Sequence, residues 1–353
     1  MKKKAALFLS LTLAVSAVLG ACGTSNSSNV NKSTSFKVGM VTDVGGVDDK
    51  SFNQSAWEGL KQFGKDNGLK ENEGYRYLQS TQSSDYEPNL TKLAQQNYNL
   101  TFGMGYLMQD SVAKIADQFK NNQFAIVDSV VNKPNVTSIT FKENEGSFLV
   151  GVVAAMTTKS NKVGFIGGVK SPLIQKFEYG FMAGVKSVNP KIEIVSEYAD
   201  AIDKPEKGSV LASAMYGQGV DVIYHASGAT GNGVFTEAKN RKKAGQQVWV
   251  IGVDRDQSQE GMPENVTLTS MVKRVDVAVA DVAKEAKDGT LKGGSVKEFG
   301  LKDKGVDIAP TQDNVSKAAL AKVDEFKKQI LNGTIKIPAT EQDYKTYEAS
   351  LQK

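Results

Sequence analysis

Short β-branched and apolar runs alternate along this chain with longer stretches of helical periodicity, and no other feature of the sequence restricts the fold so strongly. Strands are expected at 36–42, 75–79, 100–104, 124–128 and 136–141, with helices at 51–63, 87–96 and 110–121 among them. Parallel strands need such crossovers, because a tight hairpin joins only antiparallel neighbours. A helix of small residues at 145–158 follows, and a strand at 162–168 opens a second series with strands at 192–196, 220–225, 248–253 and 266–272. A helix at 275–287, short strands within 296–308 and a last helix at 315–331 complete the pattern. The expected fold class is α/β, with two lobes that are each a mainly parallel sheet flanked by helices and a cleft between them. The first lobe would take 36–143 and about 268–295, the second 144–267 and about 296–353.

The N-terminus says where such a body would reside. Lys2, Lys3 and Lys4 precede an apolar run at 5–19, and the only cysteine closes the sequence Leu19-Gly20-Ala21-Cys22. A basic n-region, a short apolar h-region and small residues at the cut site make a secretory signal. The run is too short to span a bilayer as a helix. Leu-x-x-Cys resembles the bacterial lipobox, whose cysteine receives a diacylglycerol and becomes the first mature residue. Residues 1–21 are then a signal peptide, Cys22 the lipidation site, and the Ser/Asn/Thr-rich stretch 22–35 a flexible tether. An ordinary signal peptide with an incidental cysteine is the alternative. Two or more acyl chains hold a protein stably on a membrane, whereas one holds it marginally.

Cleavage removes three lysines and lowers the formal charge from +4 to +1. No basic stripe remains to suggest nucleic acid. About 330 mature residues exceed what one core usually serves, which agrees with two lobes. A single cysteine leaves no internal disulfide, so packed cores must supply the stability.

Open parallel sheets hold ligands outside the carboxyl ends of their strands. Those positions here carry Asp43, Gly45-Gly46, Asp48-Asp49, Phe52 and Asn53, then Gly103 and Gly105, then Asp128. In the second series they carry Gly167-Gly168, the run Ser227 to Gly233, and Asp254-Arg255-Asp256. Glycine admits close approach of backbone to a ligand. Each signal alone has a plainer reading: Ser51 as a helix N-cap, Asp254 as a loop cap, Phe177 as core. Gly231-x-Gly233 hints at a phosphate loop but lacks the full Gly-x-Gly-x-x-Gly spacing and a Walker lysine. Enzyme chemistry is poorly supplied. The one histidine, His225, has no second histidine or free cysteine with which to build a metal site or a nucleophilic relay. Adjacent Asp48 and Asp49 keep a metal-dependent nucleoside hydrolase as an alternative, but no catalytic residue, metal or cofactor is expected.

The order Lys37-Val38-Gly39-Met40-Val41-Thr42-Asp43, Asp49-Lys50-Ser51-Phe52-Asn53, Phe177-Glu178-Tyr179-Gly180-Phe181 and Val250-Ile251-Gly252-Val253-Asp254-Arg255-Asp256-Gln257 resembles the basic-membrane-protein family of lipoproteins over nearly the whole mature chain. The resemblance implies the fold of a type I periplasmic binding protein. It also implies the work of the PnrA-like group, which captures purine nucleosides for an ABC permease and its ATPase. The location implied is the extracellular face of a Gram-positive cell membrane. No internal repeat or second targeting signal points to an oligomer, so a monomer on its tether is expected. On that reading Phe52 and Phe177 stack on the two faces of a purine. Asp43 and Asn53 read the base edge, and Asp128 accepts from an exocyclic amine or ring N–H. Asp254 grips the ribose diol with Lys273 beside it, and Gly228 brings backbone to the sugar. A receptor for a sugar or signalling molecule remains the alternative, and a ligand-free adhesin would leave the glycine-rich strand ends unexplained. If Cys22 carries the anchor, Cys22→Ala should release the protein into the medium or leave uncleaved precursor. Fractionation with normal membrane retention would defeat the assignment.

Overall fold

A computed structural model describes residues 36–351; the expected signal peptide at 1–21, Cys22 and the expected tether at 22–35 lie outside the described residues. Two six-stranded sheets form the body. The first comprises β1 (Val38–Val41), β2 (Tyr75–Leu78), β3 (Leu100–Met104), β4 (Gln123–Val127), β5 (Val136–Phe141) and β11 (Val296–Phe299). Its order is β11-β5-β4-β3-β1-β2, and every pairing is parallel. The second comprises β6 (Lys162–Gly167), β7 (Glu193–Tyr198), β8 (Val222–Ala226), β9 (Trp249–Asp254), β10 (Thr267–Lys273) and β12 (Val306–Ile308), in the order β12-β10-β9-β8-β6-β7. Only the edge strand β12 runs antiparallel to its neighbour. The central strands are buried on both faces, whereas β2, β7 and β11 are half-exposed edges. That contrast is what a parallel sheet covered by helices requires.

The expected α/β architecture is present, but its lobe boundaries differ. Strand β10, expected in the first lobe, pairs with β9 in the second sheet. Strand β11, expected in the second lobe, pairs with β5 in the first. The helix α8 (Val275–Lys287) packs on α1 (Phe52–Asp66) of the first lobe. The chain therefore crosses between lobes at Lys142, at Arg274 and between Phe299 and Val306. A half-exposed edge strand of four residues carries too little pattern to say which sheet it joins.

Four helices lie outside the expected elements: α5 (Pro172–Val188), α6 (Pro205–Gly217), α7 (Gly231–Lys243) and α10 (Glu341–Ser350). Glycines and a weak apolar stripe conceal α6 and α7 in the sequence. The reason for their small residues is packing. Helices α4 (Glu143–Thr157) and α5 meet backbone to backbone. A Cβ at Gly151 would lie 2.3 Å from the Phe181 carbonyl oxygen, and one at Gly184 would lie 2.0 Å from that of Phe148. Around this seam Phe148, Phe165, Phe181 and Tyr224 fill the core of the second lobe. Gly184→Ala should therefore destabilise the protein by about 2 kcal/mol or more through overpacking. Gly217→Ala, at a helix end with open space around it, should be neutral or slightly stabilising. Equal denaturation midpoints for the two variants would contradict this account of the seam.

Candidate ligand-binding cleft

The first strand delivers Asp43 into a cavity between the sheets, and the loop that follows is built around a second carboxylate. Asp49 accepts from the backbone N–H of Ser51 (2.8 Å), Asn53 (2.8 Å) and Gln54 (3.1 Å), satisfying the open amides at the start of α1. Asp49 is thus the residue that caps the helix. Ser51 makes no side-chain cap and instead donates to Asp254 Oδ2 of the second lobe at 2.5 Å, so the N-cap reading of Ser51 is corrected. Asn53 donates from Nδ2 to Asp43 Oδ1 (2.7 Å) and to Asp49 Oδ2 (3.0 Å), which locks these three side chains together. Burial, reinforced by Asp49, pushes the Asp43 carboxyl up to about 7 against the opposing hydrogen bonds from Asn53 and Gly45.

On the other side of the cavity the lobes share one cation. Strand β4 ends before Asp128 and β9 ends at Asp254, and both aspartates adopt left-handed backbone, with φ of 65° and 64°. Lys273, the last residue of β10, places Nζ 2.6 Å from Asp128 Oδ2 and 3.6 Å from Asp254 Oδ1. Its ammonium also lies 4.9 Å from the Phe52 ring centre, 5.4 Å from that of Phe177 and 5.5 Å from that of Phe141. Burial alone would lower the lysine's pKa, but Asp128, then Asp254 and Glu143, outweigh it and hold the ammonium charged. Burial raises the Asp254 carboxyl, while Lys273 and the Ser51 hydroxyl oppose the rise. The sequence places Lys273 beside Asp254, and the structure adds Asp128 of the opposite lobe as the shorter contact. Asp128 Oδ1 remains buried with no hydrogen-bond partner among the described residues.

Asp43, Phe52, Asn53, Asp128, Phe177, Gly228, Asp254 and Lys273 all line this one cavity. It encloses about 560 Å³ between its lining atoms, counting the part open to solvent. Phe52 and Phe177 are also buried members of the core, as the plainer reading of Phe177 expects. Tyr106, which stands among the strand-end residues in the sequence, lines the cavity as well, and so do Leu173, Ile174 and Ile202, which escape sequence reasoning. Tyr106 follows the strand-end glycine Gly105 (φ 96°), the one signal that points to it.

The phosphate-loop hint at Gly231-x-Gly233 has a different cause. A Cβ at Gly231 would strike the His225 ring at 2.1 Å, and one at Gly233 the Pro205 carbonyl oxygen at 1.8 Å. These glycines serve packing beneath the cleft, while Gly228, at φ 56°, is the one that lines it. His225 is buried against Gln257 (3.1 Å) and Ser227 (3.3 Å), and burial pushes its pKa down to about 4. It is a neutral packed side chain. Asp48 is exposed and Asp49 buried, so the adjacent pair does not act jointly, and no cluster suited to a metal occurs among the described residues.

The raised Asp43 carboxyl has a consequence for stability. Between about pH 4 and 7 the folded state holds a proton that the unfolded carboxyl has lost, so stability falls as pH rises through that window. Asp43→Asn keeps the Oδ1 acceptor and removes the titration. Relative to the native chain, the variant should gain on the order of 2 kcal/mol between pH 5 and 7.5 by denaturant unfolding. A constant difference across the window would mean that Asp43 is ionised throughout.

Residues 36–341 match the family model Bmp, described as ABC transporter substrate-binding protein PnrA-like. The chain is 52% identical to a CD4+ T-cell-stimulating antigen of Listeria monocytogenes, over 96% of this chain and 99% of the relative. It is 43% identical to the ABC transporter nucleoside-binding protein BmpA of Lactococcus lactis, over 96% of this chain and 100% of that one. Among solved structures, an ABC transporter solute-binding protein from Aeropyrum pernix superposes with a TM-score of 0.78 at 27% identity, covering 90% of this chain and 97% of its own. Proteins of this kind bind solutes for a membrane permease and its ATPase and are not enzymes. No described helix is long and apolar enough to cross a membrane. The chain belongs to the Bmp family of PnrA-like ABC transporter substrate-binding proteins.

Proposed function

We propose that this protein captures purine nucleosides, among them adenosine, guanosine and inosine, in the interlobe cleft and delivers them to its permease. It would do so as a monomer held by acylated Cys22 on the outer face of a Gram-positive membrane. The observation that carries the reading is the convergence of two phenylalanine rings, four carboxylates and one lysine, drawn from both lobes, on a single cavity. The nucleoside-binding name of the Lactococcus lactis relative supports it.

Phe52 and Phe177 supply flat apolar faces for a base, each worth roughly 1–3 kcal/mol by analogy with nucleic-acid stacking sites. Asp43 and Asn53 meet its polar edge, and Asp128 Oδ1 offers an unused acceptor. Asp254 uses one position on Oδ2 for Ser51 and keeps acceptor capacity for a vicinal diol, with Lys273 adjacent to its Oδ1 and Gly228 opening backbone to the sugar. Asp128 and Asp254 share the one ammonium, with Asp49 and the partly ionised Asp43 on the other side of the cavity, so a 5′-phosphate is disfavoured; each contact with an ionised carboxylate at about 4 Å costs on the order of 4 kcal/mol at an effective dielectric near 20, before salt and relaxation.

Calorimetry with adenosine, 2′-deoxyadenosine, adenosine monophosphate and D-ribose tests the reading. Adenosine should bind. The deoxy form should bind at least tenfold more weakly, since a lost charge-assisted bond costs about 1.5–3 kcal/mol. The monophosphate should bind weakly, and Phe52→Ala should reduce adenosine affinity about ten- to a hundredfold. Ribose binding as tightly as adenosine would replace the nucleoside with a sugar, because the same carboxylate grips any vicinal diol.

A further inference from the structure

Three consecutive residues of the loop before α1 each make a hydrogen bond to the opposite lobe. Asn232 Nδ2 donates to the Asp49 carbonyl oxygen at 3.2 Å, and Gln257 Nε2 donates to that of Lys50 at 2.9 Å. Ser51 Oγ then donates in the other direction, to Asp254 Oδ2 at 2.5 Å. About two helical turns further on, Glu58 pairs with Arg255 at 2.9 Å near the surface. Every one of these contacts joins residues more than 180 positions apart, and each links the first lobe to the second.

The partners are themselves held. Gln257 is buried and accepts through Oε1 from the Val253 N–H at 2.8 Å, so its amide presents Nε2 in a set direction. On the loop side, Asp49 binds the backbone of Ser51, Asn53 and Gln54 and the side chain of Asn53. Seating the loop on the second lobe therefore fixes Phe52 and Asn53 at the same moment that it reaches Asp254. Ser51 does not line the cavity. It can influence a bound molecule only through the carboxylate that it holds.

We propose that Ser51 is a positioning residue of the site. Its hydroxyl orients Asp254 only when the lobes are closed, and with Asn232, Gln257 and the Glu58–Arg255 pair it latches the cleft on the loop Asp49–Ser51. Orientation of the diol-facing carboxylate and closure of the lobes are then one event. The latch slows escape of a captured molecule far more than it affects entry, because its bonds must break before the lobes can part. The proposal rests on the cleft being the ligand site.

Two variants of the full chain separate the possibilities. Ser51→Ala removes the central hydrogen bond, and Glu58→Gln removes the peripheral ion pair without touching the cavity. Stopped-flow measurements with adenosine should show dissociation about tenfold faster in Ser51→Ala and about two- to threefold faster in Glu58→Gln, with association within about twofold of the native chain. The Glu58→Gln difference should vanish in 1 M salt, where the ion pair is screened. In ligand-free protein, hydrogen exchange across 226–232, a cleft segment of the second lobe, should quicken in both variants. Unchanged dissociation and exchange in a folded Ser51→Ala would overturn the proposal, as would a loss confined to association. If Ser51→Ala does not fold, Glu58→Gln decides by the same two measurements. If adenosine binds neither variant nor the native chain, the nucleoside reading fails while exchange at 226–232 still decides the latch.

Discussion

The buried ammonium of Lys273 is the interaction on which the rest of the molecule depends. It stands at the end of β10, one residue before the chain crosses to the first lobe, and it binds Asp128 of that lobe and Asp254 of its own. All three side chains are almost wholly buried. Removing one partner from such a cluster typically costs about 3–5 kcal/mol, because the remaining charges stay buried without compensation. The ion cluster is therefore weak as a source of net stability and strong as a determinant of arrangement: only one relative placement of three strand ends satisfies it.

The same charge order extends away from the cleft. Glu143 opens α4 just after the first crossing and is fully buried, with Lys176 Nζ 3.1 Å away on α5. Burial pushes the Glu143 carboxyl up to about 7, against the pull of Lys176 and Lys273. Two crossings between lobes thus begin or end on buried ionisable residues, and they lie beside the tightest helix seam in the body, where glycines bring α4 and α5 into backbone contact. Rigid packing within each lobe confines any relative motion to the crossings and to the polar contacts across the cleft. A binding protein needs that division, since ligand affinity is then set by a few bonds rather than by deformation of a core.

Much of the candidate site was legible because open parallel sheets gather ligands at the carboxyl ends of their strands, and those ends can be found from hydrophobic pattern alone. Asp43, Asp128, Gly228, Asp254 and Lys273 each follow or close such a run and line the cavity accordingly. The misreadings share one cause, which is that a residue type suited to one local role can be used for a distant one. Ser51 has the sequence position of an N-cap and spends its hydroxyl on Asp254, while Asp49 caps the helix. Gly231 and Gly233 have the look of an anion loop and make room for His225 and Pro205. Ile202 has no such mark, because an isoleucine in a loop carries no spacing that distinguishes it.

By itself the sequence determined that this chain would form two helix-flanked parallel sheets and which chemical groups would stand at their strand ends, because strand and helix periodicities are local properties of the chain. Only the tertiary structure decided that β10 joins the second sheet and β11 the first: β10 is an apolar strand buried between β9 and β12 and would suit the interior of either sheet, and the short edge strand β11 exposes similar faces to either. It also decided which charges meet. Lys273 and Asp128 are 145 residues apart, and Ser51 and Asp254 are 203 apart. No local spacing encodes such pairs; they arise when two independently patterned sheets close on each other and buried charges must find partners.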